Sequence, residues 1–413
     1  MARALRRLVS LLAVAAITLG GFEVMLRAMP ELVPLSLLVR FEKGVRVEIA
    51  KARNFATGDV MRDLPRDDGG PPLRLYPPFA RIATTQQDTE DPDPAPLDGN
   101  GFCNPDHSLA TAERIDVAAI GDSFTYCTAV PPANMWPAQL GAMTGLSVYN
   151  LGRPGTGLYE YLQMFKVFLA PKSPRLVIMN VYEGNDLRDA IRYHAHAAGQ
   201  GDRADEQAGD REARSVRNAL GRASYAYNLA ATGIVALREA LFAERRVRRD
   251  RPEKDVDFRY RLELPGGAIA FNADNNDRDE VVFARQLIAG EVSTALFDKA
   301  LADFMALSRS NGFQALVIYS PSAYTAYARY VRFADPELQS LMPSYSETLR
   351  RYFAEGAERF GYRFLDLTPL LQEEIARTGG SPLLYFPRNV HYTSAGSRVI
   401  AERLARELRD LLK

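Results

Sequence analysis

The chain has 413 residues, enough for one large or two ordinary domains. Hydrophobic residues make up 47% and charged residues 25%, which excludes a disordered chain and allows a sizeable core. The 51 Lys and Arg balance 51 Asp and Glu, and no basic stripe is visible, which argues against nucleic-acid binding.

Arg3, Arg6 and Arg7 precede an apolar run from Leu8 to Phe22, interrupted by Glu23 and extended by Val24, Met25 and Leu26. A basic start followed by an apolar run is an export signal, and the stretch approaches the roughly 20 residues of a spanning helix. No small-x-small cleavage site follows clearly. Residues 1–28 therefore read as an uncleaved signal anchor, a single transmembrane helix, ahead of a cleaved signal peptide or a buried amphipathic helix. The arginines should stay cytoplasmic, leaving all that follows Leu26 extracytoplasmic, or periplasmic in a Gram-negative cell. Residues 29–112 read as an extended linker or arm, being rich in Pro, Asp and Gly and containing Asp91-Pro92-Asp93-Pro94-Ala95-Pro96. The two cysteines, Cys103 and Cys127, allow one bridge in an exported chain. Two unpaired buried thiols are equally open, since spacing gives no distance.

A regular domain is expected over 113–413. Ile115–Ile120, Ser147–Leu151, Leu176–Val181, Ala315–Tyr319 and Arg363–Leu367 are short apolar runs that predict buried parallel strands. Helices are expected over Pro132–Met143, Tyr159–Leu169, Phe283–Arg309, Ser346–Phe360 and Ser394–Leu412, the last with Ile400, Leu404, Leu408 and Leu411 at helical spacing. This alternation indicates a doubly wound parallel α/β sheet. An insertion at about 197–280 interrupts it: a polar loop over Gly199–Arg214, a helix over Ser215–Phe242, and a hairpin of Phe258–Leu264 and Ala268–Phe271 around Pro265-Gly266-Gly267. It reads either as a cover beside the site or as decoration.

Four features fall where the carboxyl ends of these strands would converge. Gly121-Asp122-Ser123-Phe124 follows the first strand, Asn150-Leu151-Gly152-Arg153-Pro154-Gly155 the second, and Glu183-Gly184-Asn185-Asp186 the third; Asn389-Val390-His391 precedes the last helix. Acyl transfer needs a nucleophile, a base, and donors aimed at a developing oxyanion. Ser123 is the candidate nucleophile and His391 its base. The Ser123 N–H, the Gly155 N–H and the Asn185 amide are the candidate donors. Asp122 is read as bracing the turn and Asp186 as fixing the Asn185 loop. Of the four histidines, His107, His194 and His196 lie in polar, loop-like stretches, and none has metal-ligand spacing. No cofactor and no metal is expected. Tyr324 and Tyr327 read as core or rim packing, or as lining of a sugar or acyl pocket.

These four motifs, in this order, resemble the SGNH/GDSL hydrolase family over about Arg114–Leu412, with Trp136-Pro137-Ala138-Gln139-Leu140 as a further likeness. The resemblance implies a flavodoxin-like three-layer α/β/α sandwich, here with an inserted helix/hairpin subdomain and an N-terminal membrane helix. It also implies hydrolysis or transfer of acyl esters by Ser123, Gly155, Asn185 and His391. Some membrane-tethered members handle O-acetyl groups on bacterial polysaccharides. The expected partner is therefore an acylated small molecule or polysaccharide, a cell-envelope carbohydrate ester first among them. One departure stands out: the family places an aspartate two or three residues before the histidine, where this chain has Asn389 and Arg388. Asn389 or a backbone carbonyl could orient His391 in a Ser–His dyad. Glu183 or Asp366 could substitute for the acid. The site could also be degenerate. The function read from the site is an ester hydrolase with an acyl-serine intermediate; its rivals are a polysaccharide O-acetyltransferase on the same site, differing in acceptor, and a non-catalytic carbohydrate-binding or scaffold protein, which the missing acid favours.

Overall fold

The computed structural model describes residue 14 and residues 17–33, 35–38, 41–56, 60–64, 66, 70–82, 88–199, 221, 224–246, 257–272 and 278–411. The chain divides into two compact units. One comprises Met1–Arg62, Ala80–Thr85 and Arg203–Asp255; the other comprises Asp63–Phe79, Gln86–Asp202 and Val256–Lys413.

The larger unit is built on five parallel strands: β1 (Val117–Gly121), β2 (Val148–Gly152), β3 (Leu176–Tyr182), β6 (Gln314–Ser320) and β8 (Arg363–Asp366). Every residue of β1, β2 and β3 is buried, as strands covered on both faces must be. Their order across the sheet is β8-β6-β3-β1-β2. This is the doubly wound order whose switch point lies between β1 and β3. Right-handed crossovers to opposite sides of β1 put helices α1 (Trp136–Thr144) and α2 (Leu158–Met164) on opposite faces. Accordingly α1 packs with α8 (Ser394–Leu411), and α2 with α5 (Asp298–Asn311). The flavodoxin-like α/β architecture expected from the sequence is the one observed.

The remaining helices are α3 (Asp186–Ala197), α4 (Arg278–Ile288), α6 (Leu338–Phe360) and α7 (Thr368–Thr378). The long helix expected over 283–309 is broken. Gly290 takes φ +75°, and the Ser293 hydroxyl accepts from Ala295 N–H, starting a new turn ahead of α5. Helix α6 begins ahead of Ser346 and carries Pro343 within it, giving up one backbone hydrogen bond. Helix α7 was not foreseen, although Asp366 accepts from Thr368 N–H at 2.8 Å and so starts it. The insertion is not one body. Its hairpin, β4 (Tyr260–Leu264) and β5 (Gly267–Phe271), joins β7 (Val331–Phe333) in an antiparallel sheet of the larger unit, whereas helix Tyr225–Arg246 belongs to the smaller unit. Residues 200–214 lie outside the described residues.

The expected linker over 29–112 is also more structured than its Pro and Gly content suggests. In the smaller unit Lys43–Ala52 is an α-helix. Its Val45 and Ile49, four apart on one face, are buried with Leu26, Val33, Leu38, Phe41 and Tyr225. Glu23, which breaks the apolar N-terminal run, accepts from the Ser224 hydroxyl and from the N–H groups of Tyr225 and Ala226, at the positive end of helix Tyr225–Arg246. In the larger unit Leu73, Leu75 and Phe102 enter the main core. Residues 1–13, 15 and 16 of the expected signal anchor lie outside the described residues. Residues 17–28 are helical, and among the described residues no helix is long and apolar enough to cross a membrane.

One core contact fixes the turn after β1. Trp136, fully buried at the start of α1, donates its Nε1–H to the Phe124 carbonyl at 3.0 Å. Trp136→Phe keeps most of the volume but leaves that buried carbonyl unpaired. We expect it to lower stability by about 1–3 kcal/mol in urea unfolding, with the slope of the transition unchanged.

Candidate active site

Ser123 stands in the turn that leaves β1, between the ends of β2 and β3. The turn is held from within by side-chain amides. Asn150 on β2 donates to Thr125 O at 2.8 Å and accepts from Gly152 N–H at 2.8 Å. Asn180 on β3 donates to the Thr125 hydroxyl at 3.0 Å and accepts from Ser320. Asn104 in turn brackets Asn150, accepting from its N–H and donating to its carbonyl, both at 2.9 Å, and also donates to Asp98. Cys103 and Cys127 are joined by a disulfide, tying this segment to the Ser123 turn. Of the two thiol states left open by the sequence, the bridge is the one formed. Gly152 has no room for a side chain, since a Cβ would overlap the backbone of Thr125 and Tyr126.

His391 reaches the serine from the loop between α7 and α8. Its Nε2 lies 2.9 Å from Ser123 Oγ, across 268 residues of sequence. The imidazole is tilted over Phe124 at 4.9 Å between ring centroids, and Phe124 stacks on Tyr182 at 3.6 Å. This burial pushes the His391 pKa down to about 4, against which its backbone contact with Asn389 pulls upward. The ring is therefore neutral at pH 7, and with its proton on Nδ1 it can accept from Ser123.

The other expected donors stand in the turns that follow β2 and β3. Gly155 sits in the turn after β2 with φ +71°, a conformation suited to glycine. Asn185 is the N-cap of α3, after β3, and its amide lies against the Asp122 carboxylate. Among the described residues the N–H groups of Ser123 and Gly155 donate to nothing, as an oxyanion site requires. Asp122 braces the turn by accepting from Phe124 N–H at 2.8 Å. Asp186 fixes the next loop by accepting from Tyr161 and from Tyr182 N–H. Burial raises the pKa of both carboxyls; the Asp189 carboxylate raises Asp122 further, and Asp122 and Asp189 raise Asp186.

The Asn389 side chain is turned to the backbone, and the imidazole meets this residue through its main chain. Asn389 Oδ1 accepts from the His391 backbone N–H at 3.0 Å, and Nδ1 of the ring is buried without a side-chain partner among the described residues. Neither alternative acid reaches it. Glu183 is buried among the hydroxyls of Tyr319, Thr325 and Ser346, and Asp366 pairs with Arg350 at 2.7 Å. The arrangement is a Ser–His pair without a third member. Tyr324 and Tyr327 are buried in aromatic packing. His194 and His196 lie on α3 rather than in a loop, and His194 Nε2 meets Tyr159 Oη at 2.9 Å. Among the described residues no group of three or more His, Cys, Asp or Glu is arranged to hold a metal ion.

What sequence reasoning missed is how the His391 loop is held. Asp88 accepts from Arg388 N–H at 2.7 Å, and its carbonyl accepts from the Asn389 amide at 2.5 Å. Glu90 accepts from the Ser394 N–H and hydroxyl, and its own N–H donates to Ala129 O at 2.8 Å. Val390, just before the histidine, takes φ +53°, a strained position for a β-branched residue that the surrounding bonds must enforce. Polar residues in a Pro-rich arm carry no local signal for such a contact.

Two outcomes follow. The acid limb of Ser123 reactivity should lie near pH 4 rather than near 6.5, because the base remains neutral until then. The sign for stability is the same: a depressed histidine pKa makes protonation favour unfolding, so stability falls as pH drops from 6.5 toward 4. Rates of Ser123 acylation and denaturant midpoints across pH 4–8 measure both. Asp88→Ala removes the side-chain half of the clamp, the acceptor for Arg388 N–H, and should slow acylation about tenfold through loss of alignment by a fraction of an ångström; Asp88→Asn should recover part of the rate.

No protein-family model matches the sequence, and no curated protein does. Solved structures do. An acetyl xylan esterase is 13% identical with a TM-score of 0.35, the match covering 71% of this chain and 99% of that one. A lipase/acylhydrolase from Enterococcus faecalis is 12% identical with a TM-score of 0.34, over 72% of this chain and 96% of that one. A variant of an acetyl-xylooligosaccharide esterase from Geobacillus Stearmophilus is 12% identical with a TM-score of 0.35, over 72% of this chain and 94% of that one.

Proposed function

We propose that this chain is a serine-dependent ester hydrolase in which Ser123 is the nucleophile and His391 the general base. The observation that carries the reading is the 2.9 Å contact between Ser123 Oγ and His391 Nε2 at the switch point of a parallel sheet. His391 takes the hydroxyl proton as Oγ attacks the ester carbonyl. The Ser123 and Gly155 N–H groups and the Asn185 amide receive the charge that forms on oxygen. The imidazolium returns its proton to the departing alcohol, leaving an acyl-serine that water hydrolyses by the same route. A sugar hydroxyl in place of that water gives transfer. The acyl group we favour is acetyl or another short chain, carried on a cell-envelope carbohydrate.

A second reading has an observation of its own behind it. Among the described residues Nδ1 of His391 meets no carboxylate, and loss of the third member of such a triad lowers turnover by about four orders of magnitude while leaving the geometry intact. A carbohydrate-binding or scaffold protein with a residual Ser–His pair is therefore the rival.

We further infer that the protein works outside the cytoplasm, attached to the membrane through its N-terminus. The Cys103–Cys127 disulfide supports an oxidising compartment. The basic start with its apolar run, and the exposed Ile17, Leu19 and Val24 on helical residues 17–28, support contact with lipid.

The test is covalent labelling of the protein by a fluorophosphonate, comparing wild type with Ser123→Ala and His391→Ala. The reading requires labelling of the wild type and its loss in both variants. A folded wild type that resists the probe while binding glycans overturns the enzyme and leaves the binding protein.

A further inference from the structure

Arg153 lies in the turn between Gly152 and Gly155, beside the donor proposed for the oxyanion. A Cβ built on Gly155 would stand 3.5 Å from its Nη1. The guanidinium is largely enclosed, lying over the Tyr76 ring at 5.5 Å and donating Nη1–H to Pro154 O; its Nε is buried without a partner. Among the described residues no carboxylate pairs with it. The acids of this neighbourhood are engaged elsewhere. Glu160 pairs with Arg66 at 3.1 Å, Asp189 with Arg188 and Arg192 at 3.2 and 3.4 Å, and Asp63 with Arg74 at 3.5 Å. Arg192 also donates to Gly155 O at 3.1 Å, bringing a second guanidinium to the same turn.

An enclosed cation that no carboxylate among the described residues pairs with directly is costly, and Glu160 acts on it only from a distance while pairing with Arg66. Tyr76 offers it a ring face and the backbone a carbonyl, but neither neutralises it. Its presence beside the oxyanion turn is explained when an anion arrives with the substrate. Resting on the hydrolase reading, we propose that Arg153 forms an anion subsite of the active site and takes a carboxylate or phosphate group carried by the sugar that bears the ester. The guanidinium fork matches such planar or tetrahedral oxygens with paired hydrogen bonds, which an ammonium cannot do. The substrate class narrows accordingly, to acylated acidic sugars over neutral ones.

The test uses the full chain and three matched competitors: glucose, glucuronic acid and glucose 6-phosphate. Each is titrated calorimetrically and also tested for slowing fluorophosphonate labelling. The expected result is that one or both acidic sugars bind at least about tenfold more tightly than glucose. That preference should disappear in Arg153→Gln and persist in part in Arg153→Lys, with unfolding transitions checked for all three proteins. Which acidic sugar is preferred identifies the anion as carboxylate or phosphate. Equal binding of neutral and acidic sugars, or a preference that survives Arg153→Gln, overturns the subsite even when Ser123 still labels. Arg153-dependent anion binding by a protein that does not label retains the subsite and removes the hydrolase.

Discussion

The hydrogen bond between Ser123 and His391 joins two loops, not two regular elements, and every other feature of the site follows from that. A loop presents backbone groups that helix or sheet would otherwise satisfy, and in a buried setting each must find a partner. Around Ser123 the partners are amides: Asn150, Asn180 and Asn104 between them meet Thr125, Gly152 and Ser320. Around His391 they come from Asp88 and Glu90, some three hundred residues away in sequence. Strands β1, β2 and β3 set the serine's position to within a turn, and these side chains fix it within hydrogen-bond tolerance.

The charge arrangement follows a similar logic. Asp122, Asp186 and Asp189 are buried side by side behind the Asn185 loop, where burial and mutual repulsion raise the first two. Raised carboxyls tend to hold protons, so this cluster places less negative charge behind the oxyanion position than its composition suggests. Arg192 pairs with Asp189 of this cluster and donates to Gly155 O, and Arg153 also approaches Gly155, so both guanidiniums bring positive charge to the turn after β2.

Much of this was legible in the sequence, and the reasons are specific. The strands were readable because a sheet covered on both faces demands short continuous apolar runs, and 117–121 and 176–182 are such runs. The motif residues were readable because they stand at strand ends, where a parallel sheet collects its loops. The break at Gly290 had a local signal, a glycine ahead of Ser293, that helical periodicity on both sides obscured. The helix at 43–52 was hidden by the Pro- and Gly-rich composition around it, although Val45 and Ile49 carried its spacing. The Asp88 and Glu90 contacts had no local signal, because nothing in a polar loop encodes the partner it meets 300 residues later. Which part of Asn389 meets the histidine had no local signal for a related reason. An amide two residues before a histidine can reach either the ring or the backbone, and only the turn at Val390 decides which.

That turn bears on how the site works without an acid. In a full triad the carboxylate performs two tasks: it holds the imidazole in orientation and tautomer, and it stabilises the positive charge formed when the serine proton arrives. The Asn389 bond, the Asp88 clamp and the Phe124 ring accomplish the first through the backbone and by packing. Among the described residues no carboxylate accomplishes the second; the Asn389 backbone contact does so in part, while the burial that keeps the base neutral also opposes its protonation in the transition state. Such a base is available over a wide pH range but is weak. The chemistry that suits it is a reaction whose leaving group lightens the demand on it. An activated ester does so, because its leaving group departs with less help from the imidazolium.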